Sequence, residues 1–172
     1  AFNDIARQFI LMERMSRDPK TGLLYHAWDQ SHKERWSDPK TGKSPNFWGR
    51  AMGWYGMALV DVLAQMPVNH PKRAELTVIL GRFATAVAKY QDKQSGLWYQ
   101  VLDKATGKGN YLEASASSMF VYALAKGVRL HVLPNYYRGV AETGYKGILK
   151  KFIETDANGQ VNLNGTVSVA GL

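Results

Sequence analysis

Asp18-Pro19-Lys20-Thr21-Gly22-Leu23-Leu24-Tyr25-His26-Ala27-Trp28-Asp29 and Asp92-Lys93-Gln94-Ser95-Gly96-Leu97-Trp98-Tyr99-Gln100-Val101-Leu102-Asp103 run in parallel, Asp to Asp, with Thr or Ser and then Gly-Leu at matching places. An Asp side chain caps its own backbone a few residues on and Gly takes the positive φ, so each stretch opens with a defined turn. A second turn follows each, Asp38-Pro39-Lys40-Thr41-Gly42-Lys43 and Asp103-Lys104-Ala105-Thr106-Gly107-Lys108. A third copy begins as Asp156-Ala157-Asn158-Gly159-Gln160-Val161-Asn162-Leu163.

Apolar residues spaced by threes and fours predict helices on either side of these loops, over about 3–17, 48–66, 112–131 and 136–154, with another starting near Pro71. Pro67 and Pro134 end the second and fourth, and Gly139, Gly144 and Gly147 weaken the fifth. Strands have little support beyond short pieces in the long loops, so the fold class is all-α. The unit is helix, long loop, helix, with loop starts roughly 64 to 74 residues apart, longer than the ~33–47 of tetratricopeptide, ankyrin or HEAT repeats. That spacing suits helical hairpins around a ring, with the long loops gathered at one end. Residues 1–172 read as a single domain of roughly two and a half hairpins, an internal fragment of a larger toroid.

Composition narrows the function. The 172 residues carry 22 Lys and Arg against 14 Asp and Glu, a net charge of +8, and no cysteine. A disulfide scaffold, a thiol nucleophile and a thiolate metal site are excluded. No apolar run approaches the ~20 residues of a membrane span. The basic excess fits an acidic partner, whether nucleic acid, anionic lipid or anionic sugar. Basic residues spread over loops rather than striping one helix, which argues against nucleic acid. The start at Ala1 resembles neither an initiator Met nor a signal peptide, pointing to a beginning removed by processing or truncation. The compartment stays open between cytoplasm and periplasm, and so does the oligomeric state.

Long loops in helical domains tend to be functional, and these are aromatic. The first holds Tyr25, His26, Trp28, His32, Trp36, Phe47 and Trp48, the second Trp98, Tyr99 and Tyr111. Such rings beside carboxylates, His and Arg suit a sugar-binding cleft; the alternative is that they plug one end of the core. Arg50 and Trp54 stand four apart, neighbours on one helical face. Arg50 falls in a first helical turn, where the dipole favours anions and a cation is out of place. Forked binding of a carboxylate is a natural task for it, with Trp54 as a stacking wall. The alternative pairs Arg50 with Asp29 or another acid. Asp29, beside Trp28, is a candidate acid–base carboxyl, because sugar chemistry uses a carboxyl raised by apolar surroundings. Spacing alone favours Asp29 as a loop-closing acid. No metal site is expected, since zinc-ligand His spacing and the calcium-loop pattern are missing. Thr41-Gly42-Lys43-Ser44 lacks the earlier Gly of a phosphate loop.

Gly22-Leu23-Leu24-Tyr25-His26-Ala27-Trp28-Asp29, Trp48-Gly49-Arg50 through Trp54, and Glu113-Ala114-Ser115-Ala116-Ser117 closely resemble the unsaturated rhamnogalacturonyl hydrolases, related to the unsaturated glucuronyl hydrolases (glycoside hydrolase families 105 and 88). The final Asn164 to Leu172 resembles a stretch that continues in those enzymes. The resemblance implies an (α/α)6 toroid and hydration of the C4=C5 double bond in a terminal unsaturated uronic acid, with no cofactor. It implies that His26, Trp48, Arg50 and Trp54 contact an anionic oligosaccharide. The family's acid–base Asp belongs to a motif expected upstream of Ala1, and Asp29 is not its equivalent. This polypeptide alone is then expected to be inactive. The competing class is a non-catalytic carbohydrate-binding or helical-repeat interaction module.

Overall fold

Five helices form where the apolar spacing predicts them: α1 (Phe2–Ser16), α2 (Gly49–Gln65), α3 (Arg73–Lys89), α4 (Ala114–Arg129) and α5 (Tyr136–Lys151). The computed structural model describes residues 1–169; Ala170, Gly171 and Leu172, the end of the Asn164 to Leu172 stretch, lie outside the described residues. α2 lies along α4, and α4 along α5, while α3 packs against α1, α2 and α5. Leu59, Leu63, Leu80, Phe83, Phe120 and Leu124 are fully buried between these layers.

Two boundaries differ from the sequence reading. α3 begins at Arg73, because Pro71 lies in the turn whose His70 carbonyl accepts from the Arg73 amide. The Arg73 guanidinium then reaches back to the carbonyls of Leu63 (2.6 Å) and Met66 (2.8 Å), satisfying the C-terminal end of α2. α5 stops at Lys151 rather than near Glu154. Phe152 turns into the core, and an antiparallel hairpin follows, β1 (Ile153–Thr155) paired with β2 (Val161–Leu163).

The repeated turns take one geometry. Asp18 accepts from the Thr21 amide and hydroxyl at 2.8 and 2.7 Å, and Asp92 accepts from the Ser95 amide at 2.8 Å and from its hydroxyl. Asp38 does the same with Thr41. Gly22, Gly42, Gly96 and Gly159 all hold φ between +71° and +81°. Leu23 and Leu97, next after Gly22 and Gly96, are wholly buried. The Asp103 turn breaks the pattern. There the positive φ sits at Gly109, and the Asn110 carboxamide bridges the backbone of Val101 and Lys104.

All three loops converge. Trp48 pairs with Val101, the Gly49 amide donates to the Gln100 carbonyl, and the Ala114 amide donates to the Gly165 carbonyl. The N-termini of α2 and α4 therefore share one end of the molecule with every long connection. Trp98, grouped above with the sugar-facing aromatics, is core instead. It is fully buried, sits edge-on to Phe120, and donates from Nε1 to the Val87 carbonyl at 2.8 Å.

Gly144 explains how α5 closes on this core: a Cβ there would stand 2.7 Å from Val121 Cγ2 and 2.8 Å from the Trp98 ring. Gly144→Val is expected to destabilise the fold by about 1–3 kcal/mol through overpacking, read as a lower urea midpoint at unchanged m-value. Gly139→Ala, where nothing lies within 4 Å, is expected to leave the midpoint unchanged or raise it.

Candidate functional site

The site is built on the first turn of α2. Trp48 takes the N-cap position in extended backbone. Gly49 follows because a Cβ would press on Ala116 Cβ at 3.0 Å and the Tyr99 carbonyl at 3.1 Å. This close approach brings Arg50 against the start of α4. Its Nε donates to Ser115 Oγ at 3.1 Å and its Nη1 to the Val167 carbonyl at 3.0 Å. Both partners are neutral, and among the described residues no carboxylate lies within ion-pair distance of the guanidinium. The alternative pairing with Asp29 is therefore not found. Arg50 is half-buried.

His26 stacks obliquely near the Trp48 ring, with centroids 5.7 Å apart and planes at 60°. Its backbone amide donates to the Asn46 carbonyl, and its Nδ1 is buried with no hydrogen-bond partner in the protein. Burial pushes the imidazole below its ordinary value of 6.5, favouring the neutral ring at neutral pH. Trp54, one turn beyond Arg50 on α2, is 60% exposed.

Asp29 is unlike a general acid. Its carboxylate accepts from the amides of Ser31, Lys33 and Glu34 and from the hydroxyls of Ser31 and Ser37. Those donors, the Glu34 amide foremost, hold it well below the usual carboxylate range. It closes the loop, and Trp28 beside it pairs through its backbone with Lys43.

Several groups at the site were not singled out from the sequence. A cavity of about 310 Å³ is lined by Trp48, Gln100, Lys104, Lys108, Tyr111 and Val167. Gln100 is 3% exposed, and both polar atoms of its carboxamide are buried without partners. Such a group costs roughly 1–3 kcal/mol until something pairs with it. Glu113, the N-cap of α4, is wholly buried and accepts from the amides of Ser115 and Ala116. Only the Glu113-Ala114-Ser115 sequence, an acceptor side chain just before a helix, carried a hint of that role. Nothing local signals Gln100 or Val167. Among the described residues no three His, Asp or Glu side chains cluster to hold a metal ion.

The model of glycosyl hydrolase family 88 matches residues 1–172. The chain belongs to glycosyl hydrolase family 88. It is 40% identical over 173 residues to the 24.9 kDa protein in the picA locus of Rhizobium radiobacter, covering 98% of this chain and 73% of that one. It is 35% identical over 130 residues to an unsaturated rhamnogalacturonyl hydrolase of Bacillus subtilis, covering 76% of this chain and 35% of the relative. A solved glycoside hydrolase from family 105 of C. acetobutylicum ATCC 824 superposes with a TM-score of 0.97 at 54% identity. This family-88 chain is covered to 99% in that match but spans 48% of the solved chain, about half its length.

His26 supplies a pH test. Its folded pKa is depressed, so the folded state resists a proton that the unfolded chain accepts. Its contribution to stability is complete above pH 6.5 and is lost as pH falls from there through the lower folded value. Urea melts from pH 8 to 5 are expected to show this acid limb, and His26→Gln to flatten it.

Proposed function

We propose that the protein carrying this chain is a glycoside hydrolase acting on oligosaccharides that end in an unsaturated uronic acid, and that Arg50 binds the uronate carboxylate. The observation that carries this reading is a half-buried guanidinium whose hydrogen-bond partners among the described residues are a hydroxyl and a carbonyl, two residues after Trp48, whose ring meets a neutral His26. A charge so placed, without an ion-pair partner among the described residues, suits an incoming anion. The name of the Bacillus subtilis relative and the family membership support the same substrate class.

In this reading Trp48 and Trp54 offer faces to sugar rings, and His26 hydrogen-bonds the uronate. Water adds across C4=C5, with the proton going to C4 and the hydroxyl to C5. The resulting hemiketal opens and releases the neighbouring sugar. That sugar lies in the cavity beside Trp48, against Lys104, Lys108 and Tyr111. Asp29 is engaged in closing its own loop, so the proton-transferring carboxylate comes from elsewhere in the protein. The five helices then form part of an (α/α)6 ring whose long loops surround the substrate.

The test follows the enol-ether chromophore. The protein that carries this chain is expected to abolish the ultraviolet absorbance of an unsaturated uronyl disaccharide; binding without absorbance loss would favour a non-catalytic sugar-binding module. Arg50→Ala is expected to lower kcat/KM by on the order of 2–4 kcal/mol of transition-state binding, as for losing one partner of a buried charged pair. Kinetics matching wild type would remove Arg50 from the site.

A further inference from the structure

Glu113 and Arg50 do not touch, yet two neutral groups join them. Ser115 Oγ donates to the Glu113 carboxylate at 2.9 Å and accepts from Arg50 Nε at 3.1 Å. Val167 does the same through its two flanking peptide groups: its amide donates to Glu113 Oε1 at 2.9 Å, and its carbonyl accepts from Arg50 Nη1 at 3.0 Å. Both bridges point their donors at the acid and their acceptors at the base, and the Ser115 hydroxyl, which donates and accepts at one oxygen, is polarised in the sense that strengthens both bonds.

The acid is well fixed. It is fully buried, and the Ala116 amide donates to its Oε2 at 2.6 Å. Its negative charge meets the positive end of the α4 dipole. The Val167 segment is fastened beside it by the Ala114 amide, which donates to the Gly165 carbonyl.

We propose that Glu113 is a positioning residue for substrate binding: through Ser115 and Val167 it fixes the direction of the Arg50 guanidinium without neutralising it. This inference rests on the reading that Arg50 grips the uronate. A carboxylate placed directly on Arg50 would compete with the substrate's own. A carboxylate one neutral group away orients the guanidinium and leaves the Nη2 donors, which meet no acceptor among the described residues, for the ligand. Gln at 113 would set an NH2 against either the Ala116 N–H or the Ser115 and Val167 donors, so the set of donors around the acid cannot stay whole.

The test is a double-variant cycle on an unsaturated uronyl disaccharide, in the protein that carries this chain. Glu113→Gln is expected to lower kcat/KM about ten- to a hundredfold, mainly through KM, as for a misplaced binding group. Combined with Arg50→Ala it is expected to add almost nothing, because the two act as one unit. Equal losses on both backgrounds would overturn the proposal. If Glu113→Gln fails to fold, Ser115→Ala removes one bridge and keeps the acid, and an unchanged KM there would overturn it as well. A second readout is free of turnover: the Arg50 Nε–H resonance is expected to be sharp and slow to exchange in wild type and to broaden in either variant. Its persistence would overturn the positioning role, whereas a wild type that leaves the absorbance untouched would overturn the proposed activity alone.

Discussion

The long connections after α1 and α3 are each closed at the neck by one arrangement: a carboxylate that accepts from a Thr or Ser three residues on, a glycine at positive φ, and a leucine buried beneath. This constraint lets loops of such length carry a site. Without it, the segments around His26 and Gln100 would have to be fixed by contacts among themselves, against a backbone entropy of about 1–2 kcal/mol per ordered residue. With the neck held, the remaining residues span a short gap between two anchored points. The cross-link at Trp48–Val101 then fastens one loop to the next, and Tyr99–Leu112 closes the second loop on itself.

The electrostatics follow from that frame. Arg50 occupies a helix start, where a cation is disfavoured, and receives no compensating carboxylate among the described residues. The neighbouring buried acid, Glu113, is saturated by hydroxyl and amide donors instead. Elsewhere the molecule pairs charge directly. Glu13, nearly as buried, takes Arg17 at 2.6 Å and Arg82 at 2.7 Å, which ties the end of α1 to α3. Two buried acids thus receive opposite treatment. The one beneath the loops keeps its guanidinium at one remove.

What could be read in advance was local. Helices α1 to α5 announce themselves by apolar spacing, and the Asp-to-Gly turns by residues that act over three or four positions. The Asp103 turn misled because its letters match while its backbone answers to Asn110, which bridges Val101 and Lys104 from outside the motif. Trp98 misled for the same reason: its twin position Leu24 gives no sign that Val87 and Phe120 wait to enclose an indole. His26, Trp48, Arg50 and Trp54 are nominated by motifs within one loop and one helix start that resemble those of the unsaturated rhamnogalacturonyl hydrolases, with spacing alone pairing Arg50 and Trp54. Glu113, Val167 and Gln100 reach the site only through contacts spanning 50 residues or more, as between Val167 and Glu113 with a separation of 54. Periodicity carries no such information.

The closed necks also divide the chain's labour. Once Asp18 and Asp92 have locked their turns, the stretches beyond them are insulated from the helices, and lengthening such a stretch raises its closure entropy only logarithmically. The scaffold can therefore accept insertions and deletions around Lys104 and Lys108, at the rim of the cavity, while Arg50 keeps its place against α4. Change in the shape of that rim is cheapest there, in the tips, with the helical frame inherited unchanged.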